Sequence, residues 1–175
     1  MILFRRRSSV TTPLDLVKEY AEEVISVKSP AFNNGERIPD KYTCVGPDVS
    51  PPLVIEGIPK DTVELAIVMY DPDAPIGVFY HWLIYSMPRD VSELPENIPK
   101  EETTEYGVQG RNDFGRIGYN GPCPPRGHGT HRYYFLVYAL NSEIGLAPGV
   151  SVKEFLQAVE GKVIGYGVLM GTYSR

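Results

Sequence analysis

The strongest constraint on the fold is the run Val63-Glu64-Leu65-Ala66-Ile67-Val68-Met69-Tyr70, which carries a single charge. A strand with one wet face alternates apolar and polar residues, so an almost unbroken apolar run predicts a strand covered on both sides. The turn Asp71-Pro72-Asp73-Ala74-Pro75 follows at once, and Tyr80–Met87 reads as the next strand. Tyr133–Leu140, rich in aromatic and branched residues, and Val163–Tyr173 read as two more. Turns this short leave no room for repeated crossover helices, so a mainly β, mostly antiparallel protein is expected.

Two or three peripheral helices complete that expectation. Thr12, Pro13 and Asp15 form a helix start, and Leu14, Val17, Ala21, Val24 and Ile25 follow near helical spacing, which predicts a helix over Pro13–Ile25 packed on the body. Ser151 and Glu154 cap a second helix through Val159, stopped by Gly161. The first eleven residues lack periodicity and read as a mobile arm. Residues 43–57, with Gly46-Pro47 and Ser50-Pro51-Pro52, read as a rigid irregular connection.

A length of 175 residues suits one domain, and 42% hydrophobic with 22% charged residues suits a globular one. A net charge of −5 and a pI near 5.2 argue against nucleic acid as the main partner. No apolar run approaches the ~20 residues of a membrane span. Met1-Ile2-Leu3-Phe4-Arg5-Arg6-Arg7 places charge after a short apolar stretch, the reverse of a secretory signal, so a cytoplasmic protein is expected. Cys44 and Cys123 then read as free thiols, with a disulfide left open for a hyperthermophilic source.

All three histidines, His81, His128 and His131, sit in or beside loops at strand ends. His131 and Tyr133 are two apart and project from one face, while Arg132 points the other way. Asp71 closes one strand and His81 opens the next, so an antiparallel hairpin would bring both to one end of the sheet. Asp71 could then fix an imidazole tautomer, and the imidazoles with a phenol would receive a phosphate- or carboxylate-sized anion. The stretch from Gly107 to Arg132 supports an anion, with Arg111, Arg116, Arg126 and Arg132 against Asp113 alone and seven glycines whose N–H groups could converge. Bland alternatives stand beside each reading: Asp73 as a turn residue, Arg132 as an ion-pair partner, His81 and Tyr133 as core, the arginines as a solvated surface. His128 reads as a residue of the loop rim.

Asp71–Pro75, His81-Trp82, Asn112-Asp113-Phe114-Gly115, Tyr119-Asn120-Gly121-Pro122-Cys123-Pro124-Pro125 and Gly129-Thr130-His131-Arg132-Tyr133 resemble the phosphatidylethanolamine-binding protein family, close to its bacterial and archaeal Raf kinase inhibitor-like branch. Tyr42-Thr43-Cys44 and Ser50-Pro51-Pro52-Leu53 match that branch too. The resemblance covers residues 29–175, leaving residues 1–28 as an arm and an extra helix. It implies a β-sandwich-like fold and a ligand pocket lined by Asp71, His81, Pro122, His131 and Tyr133. It implies no catalysis, cofactor or resident metal; the expected partners are small anions or phosphorylated head groups, with a serine protease or kinase as protein partner.

The leading expectation is a non-enzymatic anion-binding regulator. A second is a chymotrypsin-type serine-protease inhibitor presenting Ile76–Tyr80 or Pro122–Gly127, against which Phe79 and Tyr80 could simply belong to the hairpin's packed face. A third is a metal-dependent hydrolase using Asp71, Asp73, His81 and His131, although no local ligand spacing supports it. The extra helix could also close a homodimer.

Overall fold

The computed structural model describes residues 11–175, so most of the expected arm lies outside the described residues. A six-stranded antiparallel sheet is built from β3 (Glu64–Asp71), β4 (Phe79–Pro88), β6 (Thr103–Thr104), β7 (Gly107–Gln109), β8 (His131–Leu140) and β9 (Val163–Tyr173). Its order is β6-β7-β4-β3-β8-β9, with β3 central between β4 and β8. A second sheet, in the order β1-β2-β5, holds β1 (Ser26–Lys28), β2 (Leu53–Glu56) and β5 (Glu93–Leu94).

Every residue of β3 is buried, and successive side chains enter two different cores. Leu65, Ile67 and Met69 face inward, packing with Leu53 and Ile55 of β2 and with Phe135 of β8. Ala66, Val68 and Tyr70 face outward, beneath Val17 of α1 (Pro13–Lys18) and Phe155 and Val159 beside α2 (Val152–Ala158). The continuous apolar run is thus explained by a sheet beneath it and helices above it. Burial of each such side chain contributes about 1.5–3 kcal/mol. The one charge, Glu64, sits at the strand's start, accepts a 2.9 Å hydrogen bond from the Ile144 N–H, and has its carboxyl pKa raised by burial.

The α1 helix starts as expected, with Thr12 Oγ1 accepting from the Asp15 N–H at 3.2 Å, but it ends at Lys18 rather than Ile25. Val17 belongs to the outer core and Ile25 to the inner one, so a single helix could not place both. The chain instead crosses the sheet edge, where the Val24 and Ile25 N–H groups both reach the Tyr166 carbonyl at 3.0 Å, and continues as β1 paired with β2. The irregular connection at 43–57 is likewise corrected, since it contains β2. The α2 cap forms as expected, Ser151 Oγ accepting from the Glu154 N–H at 3.2 Å.

Cys44 and Cys123 are not free thiols: they form a disulfide, with Cα atoms 5.4 Å apart. Their 79-residue separation hid this, because folding alone brings the two loops together. Among the described residues no helix is long and apolar enough to cross a membrane.

Candidate functional site

The position of His81 depends on a defect in strand pairing. Met69 pairs with Trp82, but Tyr70 pairs with Tyr80, leaving His81 as an extra residue in β4. Trp82 and Ile84 lie in the inner core while Leu83 and Tyr85 lie in the outer one. Unbroken alternation would send His81 outward with Leu83. The bulge turns it inward beside Trp82, one of the standard uses of a bulge near a site. No sequence periodicity reports this.

His131 and Tyr133 enter β8 from one face, as their spacing predicts, and meet Asp71 at the end of β3. His131 is 2% exposed and donates its Nδ1 proton to Asp71 Oδ2 at 2.7 Å. The other Asp71 oxygen accepts from the Asp73 N–H at 2.7 Å, so Asp71 serves both as turn residue and as histidine anchor. His81 is 3% exposed and donates from Nδ1 to the Asn120 carbonyl at 2.7 Å. The Asn120 N–H returns a bond to the His81 carbonyl at 3.1 Å. Both imidazoles are therefore held by acceptors at Nδ1, which leaves Nε2 as the chemically available nitrogen of His81 and as the acceptor of His131. The His81 and Tyr133 rings meet edge to face at 5.3 Å.

Electrostatics favour neutral groups here. Burial pushes the His81 pKa down. Burial, followed by the nearby Asp71 charge, pushes the Tyr133 phenol up and keeps it protonated. A neutral His81 with its Nδ1 proton committed offers a lone pair at Nε2, to which a fully deprotonated anion has no attraction. An anion enters favourably if it brings a proton or if the imidazole acquires one.

These groups line a cavity of about 150 Å³, walled by Phe79, Phe114 and the Cys123–Pro125 strap. Of the expected site residues, Asp71, His81, His131 and Tyr133 are brought together. Pro122 is not on the wall: its carbonyl accepts from the Cys44 N–H at 3.1 Å, and the three residues after it face the cavity. The disulfide redirects the strap there.

The basic loop does not supply the expected arginine cluster. Arg111, Arg116 and Arg126 are exposed and do not line the cavity, and Arg132 is bound to Asp73 at 2.8 Å. Several polar groups of the loop are committed to its own architecture. Asn112 donates to the Gly118 carbonyl and to Asn120 Oδ1, and accepts from the Phe114 and Arg116 N–H groups. Asp48 accepts from Gly121 N–H at 2.7 Å and from the Asn120 amide at 3.2 Å. A Cβ on Gly121 would lie 1.9 Å from the Tyr42 carbonyl oxygen, so only glycine fits.

Sequence reasoning missed three contributors and one contact of a fourth residue. Asn120 orients His81, and Phe114 forms a partly exposed lip. Arg175 donates to the Pro124 carbonyl at 2.7 Å and brings a cation near Tyr133. His128, read as a rim residue, is exposed as expected, yet its Nδ1 lies 2.5 Å from His131 Nε2. Asp71, His131 and His128 thus form one hydrogen-bonded chain from the interior to solvent. Only the crowding of histidines signalled it. Asp73 faces Arg132, and no group of three or more potential metal ligands converges among the described residues.

Known proteins share this fold. The family model described as phosphatidylethanolamine-binding protein matches residues 28–174. A UPF0098 protein of Pyrococcus horikoshii is 54% identical over 158 residues, covering 88% of this chain and 79% of that protein. A putative phosphatidylethanolamine-binding protein homologue from Chlamydia trachomatis superposes with a TM-score of 0.79 at 37% identity, covering 88% of this chain and 99% of that one. YbcL of E. coli, described as a member of the mammalian family, gives 0.80 at 30% identity, covering 87% and 99%. The chain belongs to the phosphatidylethanolamine-binding protein family.

Proposed function

We propose that this protein is a regulator that binds a small anion, a phosphate or phosphorylated head group, without transforming it. The observation that carries this reading is the pair of buried imidazoles, each anchored at Nδ1, beside Tyr133 on the wall of a small cavity open to solvent. Its 150 Å³ is below the ~300 Å³ at which whole drug-sized ligands are accommodated, so it takes a head group and leaves the remainder outside. A binding role is further supported by the wall chemistry. Cys123 is locked in a disulfide, Tyr133 is held protonated, and no serine or threonine among the described residues lines the cavity. A cytoplasmic setting goes with this reading, the disulfide being compatible with it in a hyperthermophile.

Phosphate and phosphoethanolamine titrations followed by the histidine NMR signals test the proposal. Signals of His81 and His131 should move at millimolar ligand, and affinity should rise as pH falls, because binding takes up a proton. Unmoved signals from both residues would refute it.

A second reading, protease inhibition, draws on Ile76, which is 93% exposed at the tip of the β3–β4 hairpin. Phe79 and Tyr80 do not support it, since they pack against Phe114 and Tyr70. A lack of chymotrypsin inhibition at micromolar protein would remove this role.

A further inference from the structure

The anion cavity is poor in positive charge. No lysine or arginine among the described residues lines it. Arg175, which approaches Tyr133, has its Nε proton committed to the Pro124 carbonyl and is not on the wall. Asp71 brings a carboxylate whose oxygens already accept from His131 and from the Asp73 N–H. The charged groups that act on His81 are Asp71 and Asp48, both negative. A receptor that drew anions in by charge would show the opposite balance.

The imidazoles follow the same pattern. His128 Nδ1 and His131 Nε2 stand 2.5 Å apart, with room for one proton between them, so each of these nitrogens is committed to the other. The second nitrogen of His131 is bound to Asp71. His81 Nδ1 carries a proton, because the Asn120 carbonyl 2.7 Å away can only accept. Burial holds this ring neutral, so His81 Nε2 presents a lone pair in a residue only 3% exposed. The imidazole nitrogen left for a ligand is therefore an acceptor. Its complement on the wall is Tyr133, which keeps its phenolic proton.

We propose that the site selects oxyanions that still carry a hydroxyl proton, namely hydrogen phosphate or a phosphomonoester. The ligand hydroxyl donates to His81 Nε2, and an anionic oxygen accepts from the Tyr133 hydroxyl. Sulfate and phosphodiesters lack that proton. They would press an oxygen lone pair against the His81 lone pair and leave a buried acceptor unpaired, which is how a site built around one hydrogen bond rejects a close analogue. The selectivity rests on the anion-binding reading and narrows it to one chemical class, which excludes the diester phosphate of an intact phospholipid.

Hydrogen phosphate and sulfate are close in size and differ by one proton at pH 7, so the unmodified protein tests this. Titrations followed by the histidine NMR signals should show phosphate binding about tenfold or more tighter than sulfate, with dimethyl phosphate as weak as sulfate. The imidazole 15N spectrum of the free protein should show His81 as the Nδ1–H tautomer, and its Nε2 resonance should move with phosphate but not with sulfate. Methyl phosphate separates the two sources of the ligand. Binding equal to that of phosphate assigns the site to monoesters and much weaker binding assigns it to free phosphate, with the selectivity over sulfate upheld in both cases. Sulfate or dimethyl phosphate moving the His81 signals at the same concentrations as phosphate would overturn the selectivity and leave the anion reading standing. A free-protein His81 protonated at Nε2 would overturn it too. If no oxyanion moves either histidine, the anion reading itself falls and this inference falls with it.

Discussion

The two faces of the central sheet carry opposite kinds of imperfection. On the inner face, polar groups are buried and almost all are paired: His81 with Asn120, His131 with Asp71, Asn112 with its own loop, Tyr119 with the Tyr42 carbonyl. On the outer face, apolar groups are left uncovered and the buried Tyr138 hydroxyl has no partner among the described residues, as is also true of Thr62 Oγ1 just before β3. The inner face is closed by the β1-β2-β5 sheet and by long connections tied down by a disulfide, the outer by helices of six and seven residues. Rigid polar geometry requires many mutually dependent partners. An uncovered apolar surface requires only that its cover be incomplete.

The largest test of this contrast is the disulfide. Closing a loop of 79 residues in the unfolded chain contributes about 4.5 kcal/mol by chain-entropy reasoning. Cys44→Ser with Cys123→Ser should therefore lose up to about 4.5 kcal/mol in denaturant titration. Phosphate affinity should fall as well, because the strap at Cys123–Pro125 walls the cavity. A loss below 1 kcal/mol with unchanged affinity would show that Asp48 and Asn112 hold the loops unaided.

Phe155→Ala applies the same pressure to the outer face. Phe155 is fully buried against Tyr85 and Tyr138, and its truncation should cost about 3–4 kcal/mol. Phosphate affinity should stay within a factor of two of the parent's, since the sheet lies between. A parallel loss of affinity would mean that the two faces are coupled and would break the comparison.

His81→Phe acts within the inner face. It leaves the Asn120 carbonyl unpaired, at a cost of about 1–3 kcal/mol, and should abolish phosphate binding. It also removes a pH dependence. Burial lowers the pKa of His81 below its ordinary 6.5, so the folded protein binds fewer protons than the unfolded chain. That stability is complete above 6.5 and drains as pH falls through the lowered folded value. The parent should lose stability in this window while His81→Phe loses less, and added phosphate should protect the parent more as pH falls. Equal slopes for the two proteins would show that His81 does not titrate on unfolding.

Much of this was legible in the sequence where a residue's neighbours along the chain decide its surroundings. The β3 run announced cover on both faces, Ser151 and Glu154 announced α2, and the His131–Tyr133 spacing gave a shared face. The rest depended on distant partners. A bulge is a property of a pair of strands, so His81 alone could not reveal that it turns inward. Leu14 to Ile25 imitated a single helix because residues bound for two cores happened to fall at helical intervals. The arginines of the Gly/Pro loop suggested an anion nest, but Asn112 and Asp48 had already claimed several of the loop's N–H groups. The disulfide required both loops to be in place before either cysteine had a partner.

The smallest expected effect separates two carboxylates that stand two residues apart. Asp71 turns inward to a buried imidazole, whereas Asp73 turns outward to Arg132, whose side chain is 50% exposed. The Arg132 guanidinium grips Asp73 at 2.9 and 2.8 Å, and the Arg132 N–H adds a third bond at 2.9 Å that survives truncation. These contacts lower the Asp73 pKa, so their contribution is present above the ordinary carboxylate range and is lost as pH falls through the depressed value. Solvent screening limits an exposed pair to at most ~1 kcal/mol. Arg132→Ala should therefore cost about 0.5 kcal/mol at pH 7, shrinking in high salt, with no change in phosphate affinity. A loss of affinity in Arg132→Ala would mean that the Asp73 turn positions Asp71, and would move Arg132 from the periphery of the molecule into the construction of its site.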